Sequence, residues 1–117
     1  MSDVEFLRNY RNQVKEVALL REQLEYVRYI PEHRHLLAQH TEQLRALLEQ
    51  AEQRRAADGE RFEAILRRAP NARIRLVLNQ YYGWALTDEA VAESIGASVR
   101  AVNNCRNRFL RTLADAQ

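Results

Sequence analysis

One cysteine, two prolines, three glycines and one tryptophan stand in a chain of 117 residues. The lone thiol, Cys105, excludes an internal disulfide and an all-cysteine zinc site. So few turn-formers exclude a fold of many short strands and loops, and three glycines cannot assemble a glycine-rich phosphate loop. No apolar run approaches the roughly 18 residues that a membrane helix needs. The opening residues lack the charged-then-apolar pattern of a secretory leader. The expectation is a cytoplasmic protein with no membrane partner. The length suits one compact domain, or a small domain with a helical extension, and falls far short of the barrel enzymes of about 250 residues.

Also missing is any sustained period-two alternation of the kind a strand needs. What is present is Ala, Leu, Glu, Arg and Gln, the best helix formers, arranged at helical spacing. Leu7, Tyr10, Val14, Val17, Leu20, Leu24 and Val27 make one apolar stripe, and the spacing predicts a helix over residues 3–28, capped by Ser2 or Asp3. Pro31 breaks that pattern and suits the first position of a second helix. Leu36, Leu37, Leu44, Leu47, Leu48 and Ala51 form its stripe. Gly59 weakens that helix without necessarily ending it, and Phe62, Ile65, Leu66 and Ala69 resume its apolar face. Two stripes around a short corner predict an antiparallel hairpin, whose pairing within or between chains the pattern leaves open. His40 and Arg54 fall where a strict seam would want apolar side chains.

Pro70-Asn71 marks the expected boundary between residues 1–69 and residues 70–117. The net charge of +2 is small, but it is unevenly spread. Residues 1–69 carry 12 basic and 12 acidic side chains, whereas residues 98–113 hold four arginines and no acid. A nucleic-acid footprint is expected on that segment.

Beyond the boundary three short helices are predicted, over residues 72–82, 87–95 and 98–113. Ile74, Val77, Leu78 and Tyr81 give the first its inner face, with Tyr82, Trp84 and Leu86 at the core or its edge. Thr87 caps the second, with Asp88 and Glu89 in its positive first turn. Val91, Ala92 and Ile95 face inward, Ala92 being small enough for two helices to cross closely. Gly96 supplies a left-handed turn, and Ser98 caps the third helix. Val99, Val102, Cys105, Phe109 and Leu113 trace its buried side. The core set of the helix pair is Val91, Ala92, Ile95, Gly96, Val102 and Cys105. Arg100, Asn103, Asn104 and Asn107 project, and Arg and Asn are the side chains that pair with guanine O6/N7 and adenine N6/N7 in the major groove. Arg73, Arg75, Ser98, Arg106, Arg108 and Arg111 are the candidate phosphate contacts.

The run Thr87-x-x-x-Val91-Ala92-x-x-Ile95-Gly96-x-Ser98-x-x-x-Val102, preceded by the aromatic pair Tyr81-Tyr82 and closed by Arg106-Asn107-Arg108-Phe109-Leu110-Arg111-Thr112-Leu113, resembles region 4 of the sigma-70 family and its phage-encoded relatives. The resemblance spans residues 73–113. It implies an all-α fold with a C-terminal tri-helical helix-turn-helix, and a promoter element read by the start of the last helix, here Arg100, Asn103 and Asn104. A helical hairpin in front of such a module is similar to small phage late transcriptional regulators. The function expected is a sequence-specific DNA-binding regulator, phage or prophage encoded, partnered by double-stranded DNA. A homodimer through the N-terminal helices and a contact with RNA polymerase are the further partners this implies. Two alternatives stay open: a protein-interaction module using the same fold, and a DNA-packaging component akin to a small terminase subunit.

The remaining chemistry points away from catalysis. His33, His35 and His40 have no cysteine or second ligand pair to complete a metal site, so no metal is expected. No nucleophile stands beside a base and its orienting group, and no enzyme activity or cofactor is expected. Cys105 falls on an apolar face and reads as an inert core thiol.

Overall fold

A computed structural model of the chain describes residues 1–28 and 34–116. The described elements are all helical: α1 (Asp3–Arg28), α2 (Arg34–Leu66), α3 (Ala72–Leu78), a π-helical turn (Asn79–Gly83), α4 (Asp88–Ile95) and α5 (Val99–Asp115). The corner around Pro31 and the side chain of His33 lie outside the described residues, as does the side chain of His35. No described helix is long and apolar enough to cross a membrane.

α1 starts where the sequence offers a hydroxyl: Ser2 Oγ accepts from the Glu5 N–H at 3.1 Å, and Asp3 and Glu5 lie in the positive first turn. α2 runs through Gly59 unbroken. The two helices pack antiparallel within the chain. Their cross-links fix the direction, since partners of rising number on α1 fall in number on α2: Asp3 with Arg61, Gln13 with Asp58, Arg21 with Glu52. Val17, Leu20, Leu44 and Ala51 fill the far part of the seam, with Leu24, Val27 and Leu48 at its rim. Ala51 is fully buried, and its small side chain lets the helices approach there. The flanking pairs Arg21–Glu52 and Arg54–Glu16 are exposed, so each adds only tenths of a kcal/mol. At 33 residues α2 is about 50 Å long, which accounts for the molecule's 53 Å long axis.

The near half of the hairpin packs on a C-terminal three-helix bundle. Phe6, Leu7, Tyr10 and Val14 of α1, Phe62, Ile65 and Leu66 of α2, Leu78 of α3, Tyr82 of the π turn, and Phe109 and Leu113 of α5 share one cluster. Tyr10 stacks on Phe62 with ring centroids 4.2 Å apart. The principal core therefore crosses the expected boundary, and Pro70-Asn71 marks a change of chain direction inside one packed body. Truncating a fully buried member such as Leu7, Leu78 or Leu113 to alanine costs about 2–5 kcal/mol. A second cluster, Val77, Val91, Ala92 and Val102, holds α3, α4 and α5 together.

Two sequence expectations are corrected here. The first segment after the boundary does not continue as an α-helix to Tyr82. At Asn79 it widens into a π turn, with Trp84 N–H donating to Asn79 O, five residues back, at 3.1 Å. The wider turn rotates the register, and Ala85 then takes a left-handed φ of 54°. Tyr82 goes inward, Leu86 packs at the second cluster's edge, and Trp84, expected at the core or its edge, is 58% exposed. Gly83 ends this turn in a tight place. A Cβ there would meet Asn79 Oδ1 at 2.7 Å and the Phe62 ring at 3.2 Å, so the missing side chain eases the close approach of Phe62 from α2.

The second correction is Val99, expected on the buried side of α5 but 37% exposed. It is the first residue of the helix, and a helical side chain leans toward the preceding turn. That turn holds the exposed Gly96 and Ser98, and only Ala97 between them packs at the edge of the core.

Candidate nucleic-acid interface

The geometry of α5 starts with its two caps. Thr87 Oγ1 accepts from Ala90 N–H at 3.2 Å and so starts α4. Gly96, at φ 68°, ends α4 in the left-handed region. Ser98 Oγ then accepts from Ala101 N–H at 3.1 Å and starts α5. Ser98 is thus occupied as a cap, although it remains exposed. Val91 and Ala92 are buried beneath the crossing, Ile95 and Cys105 lie at its edge, and Val102 is buried against it. Gly96 itself is exposed.

With Val102, Phe109 and Leu113 fixed inward, the helical period decides what faces out. Positions 100, 104, 107 and 111 follow one another at four, three and four residues, and so form one line within about 60° of arc. Arg100, Asn104, Asn107 and Arg111 are all exposed along that line, with Arg108 on its flank. The line is about 17 Å long. No acid occurs on α5 before Asp115.

Arg106 and Asn103 are held differently. Arg106 is only 11% exposed; its guanidinium donates to the Asp88 carboxylate at the start of α4 and to Asn103 Oδ1 at 2.9 Å. It also lies 3.8 Å over the Tyr81 ring. Both terminal nitrogens are thus engaged within the protein, so Arg106 does not join the exposed line. Of the α3 arginines, Arg73 is exposed in the first turn. Arg75 is also exposed, but with Leu76 it lines a cleft of about 270 Å³ whose other side is Glu63 and Leu66 of α2.

Residues that the sequence did not single out tie this unit to the hairpin. Arg11 of α1 donates from Nε to Tyr81 O at 2.9 Å and from Nη2 to Leu86 O at 3.1 Å. Its guanidinium covers Tyr81 at 4.1 Å, so that ring is stacked by one arginine from α1 and another from α5. Arg55 of α2 reaches Gly83 O at 3.4 Å. Arg11 and Tyr81 are 70 positions apart, and no local pattern could have paired them. Gln80 is buried beside α4 and donates to Ser94 Oγ at 2.9 Å. Burial holds the neighbouring Tyr82 hydroxyl protonated, pushing its pKa up to about 12 against the smaller opposing pull of Arg106.

His40 is exposed, and among the described residues no group of three His, Cys, Asp or Glu could hold a metal ion. No family model, curated protein or solved structure matches the chain.

Proposed function

We propose that this chain is a sequence-specific DNA-binding transcriptional regulator, phage or prophage encoded and acting in the host cytoplasm. In this reading α4, the Gly96 turn and α5 form a helix-turn-helix of the sigma-70 region 4 kind, which lays α5 in a major groove. The observation that carries it is the exposed, acid-free line of Arg100, Asn104, Asn107 and Arg111 opposite the buried face of α5. A line of about 17 Å spans roughly five base pairs at 3.4 Å each.

The amides divide the reading of bases. Asn103 Oδ1 already accepts from Arg106, so Asn103 offers mainly its N–H donors and suits an acceptor such as guanine O6 or a phosphate. Asn104 and Asn107 have no such tie among the described residues, and they present a full amide edge to adenine N6 and N7. Arg108 and Arg111 are the best-placed phosphate contacts, with Arg73 further out. The hairpin carries partner contact or dimerisation, which raises the affinity of a modestly charged reading helix through effective concentration. No catalytic step belongs to this function.

The test is a random-site selection followed by gel shifts at about 50 and about 200 mM salt, where three phosphate contacts lower affinity roughly fortyfold. Arg100→Ala and Asn104→Ala should each lower specific affinity by about 1–3 kcal/mol and relax one base preference. A folded protein that shifts no DNA at either salt overturns the reading.

One observation favours a second reading, a protein-docking module. Trp84 is 58% exposed on a turn pinned by Arg11 and Arg55, and a rigidly held exposed tryptophan is the side chain richest in binding energy at protein interfaces. Under that reading Trp84→Ala breaks a protein complex that Arg100→Ala leaves intact.

A further inference from the structure

A cavity of about 440 Å³ opens beside α5, between that helix, α3 and the turn that precedes α3. Its walls are Ile74, Phe109 and Cys105. Phe109 is buried in the main core, with Ile74 packed against that cluster, and Cys105 lies at the edge of the second. These side chains are therefore held in place by the fold. Two arginines, Arg68 and Arg108, stand in the lining, and no acid does. Arg68 is half committed, pairing with Asp3 at 2.9 Å. Arg108 forms no ion pair among the described residues.

Each property restricts the occupant. The volume falls in the range of small-molecule sites, roughly 300–1,000 Å³. A fixed apolar wall favours a hydrophobic body over a hydrated phosphate, which would gain nothing from it. An unneutralised guanidinium at the mouth, with no carboxylate in the lining, favours an anion with a planar pair of oxygens. We propose that this cavity binds a small apolar carboxylate, aromatic or branched aliphatic, with its carboxylate on Arg108 and its body against Ile74, Cys105 and Phe109.

The site also borders the DNA-facing line. Asn104 belongs both to that line and to the cavity wall, and Arg108 flanks it. A bound carboxylate occupies Arg108 and places negative charge beside Asn104, so ligand and DNA exclude one another. The cavity stands without the DNA reading; this coupling rests on it.

The experiment uses the full chain, titrated with 1-naphthoate and with the uncharged 1-naphthamide while backbone amide resonances are followed by NMR. Naphthoate is expected to shift the resonances of residues 74, 101, 104, 105, 108, 109 and 112, with the amide about tenfold weaker. Arg108→Gln should weaken naphthoate about tenfold and leave the amide unchanged. Ala101→Phe, at an exposed position in the lining, should fill the cavity and weaken both. Equal affinity for acid and amide, indifference to Arg108→Gln, or shifts confined to the apolar patch of Leu19, Tyr26 and His40 at the far end of the hairpin would each overturn the proposal. A gel shift with and without naphthoate tests the coupling. Loss of DNA binding supports it, and undiminished DNA binding by the ligand-saturated protein refutes it. A chain that binds naphthoate but no DNA keeps the cavity and refutes the DNA reading alone.

Discussion

Replacing Arg106 by alanine separates a structural role from a nucleic-acid role at one position. The guanidinium donates to Asp88 and to Asn103 Oδ1 and lies 3.8 Å over Tyr81. Charge-assisted hydrogen bonds of this kind contribute about 1.5–3 kcal/mol, and stacking over a half-buried ring about 1–2 kcal/mol. Removal also strands the Asp88 carboxylate, which is 21% exposed. Water reaches it, so the loss stays below the roughly 3–5 kcal/mol of a fully buried pair. The expected total is about 3 kcal/mol, or a fall of roughly 12 °C in Tm for a chain of this size.

Urea unfolding followed by far-ultraviolet circular dichroism measures it, with the slope expected to stay constant. Arg106→Lys keeps the charge but loses the planar fork, and should forfeit about half as much. Adding Asp88→Asn to the alanine variant removes the stranded charge and should recover about 1 kcal/mol. A variant within about 0.5 kcal/mol of the parent would show that the guanidinium is effectively solvated. It would also return Arg106 to the set of phosphate contacts.

The glycines give opposite outcomes. Gly59→Ala, in mid-helix with nothing within 4 Å of the added Cβ, should stabilise by about 0.5–1 kcal/mol. Gly83→Ala drives a Cβ to 2.7 Å from Asn79 Oδ1 and 3.2 Å from Phe62, and should destabilise by about 1–3 kcal/mol. Thermal melts of the two variants that coincide would refute the close approach at Gly83. Tyr82 sets an alkaline limit. Unfolded, it ionises near 10, and folded only at about 12, so both states keep the proton below pH 10. As pH rises from about 10 to about 12 the unfolded chain loses it first, and stability falls by up to about 3 kcal/mol. Tyr82→Phe should flatten that decline, and an equal decline in the variant would count against the burial.

Much of the architecture was legible locally. The helical content, the span of α1, the caps Thr87 and Ser98 and the left-handed Gly96 each follow from side-chain chemistry acting within four residues. The outward line of α5 follows from the 3.6-residue period once Val102, Phe109 and Leu113 are known to face inward. Arg108 and Cys105 could be named from the sequence, but the cavity they share needs α3 and its preceding turn brought alongside α5.

What the sequence by itself determined, then, is which segments are helical, where they start and stop, and which stretch carries positive charge without acid. Only the tertiary structure decided which of those charges are available. Arg106 and Arg108 stand two positions apart on one helix; the helical period turns Arg106 toward the side of Val102 and Phe109, but what it meets there comes from other elements. One meets Asp88 and Tyr81 from other elements and turns inward; the other forms no ion pair among the described residues and stays exposed. The π turn that exposes Trp84, the Arg11 clamp 70 residues from its target and the core that joins hairpin to bundle arise in the same way. Each depends on groups distant in sequence, whose meeting no local period encodes.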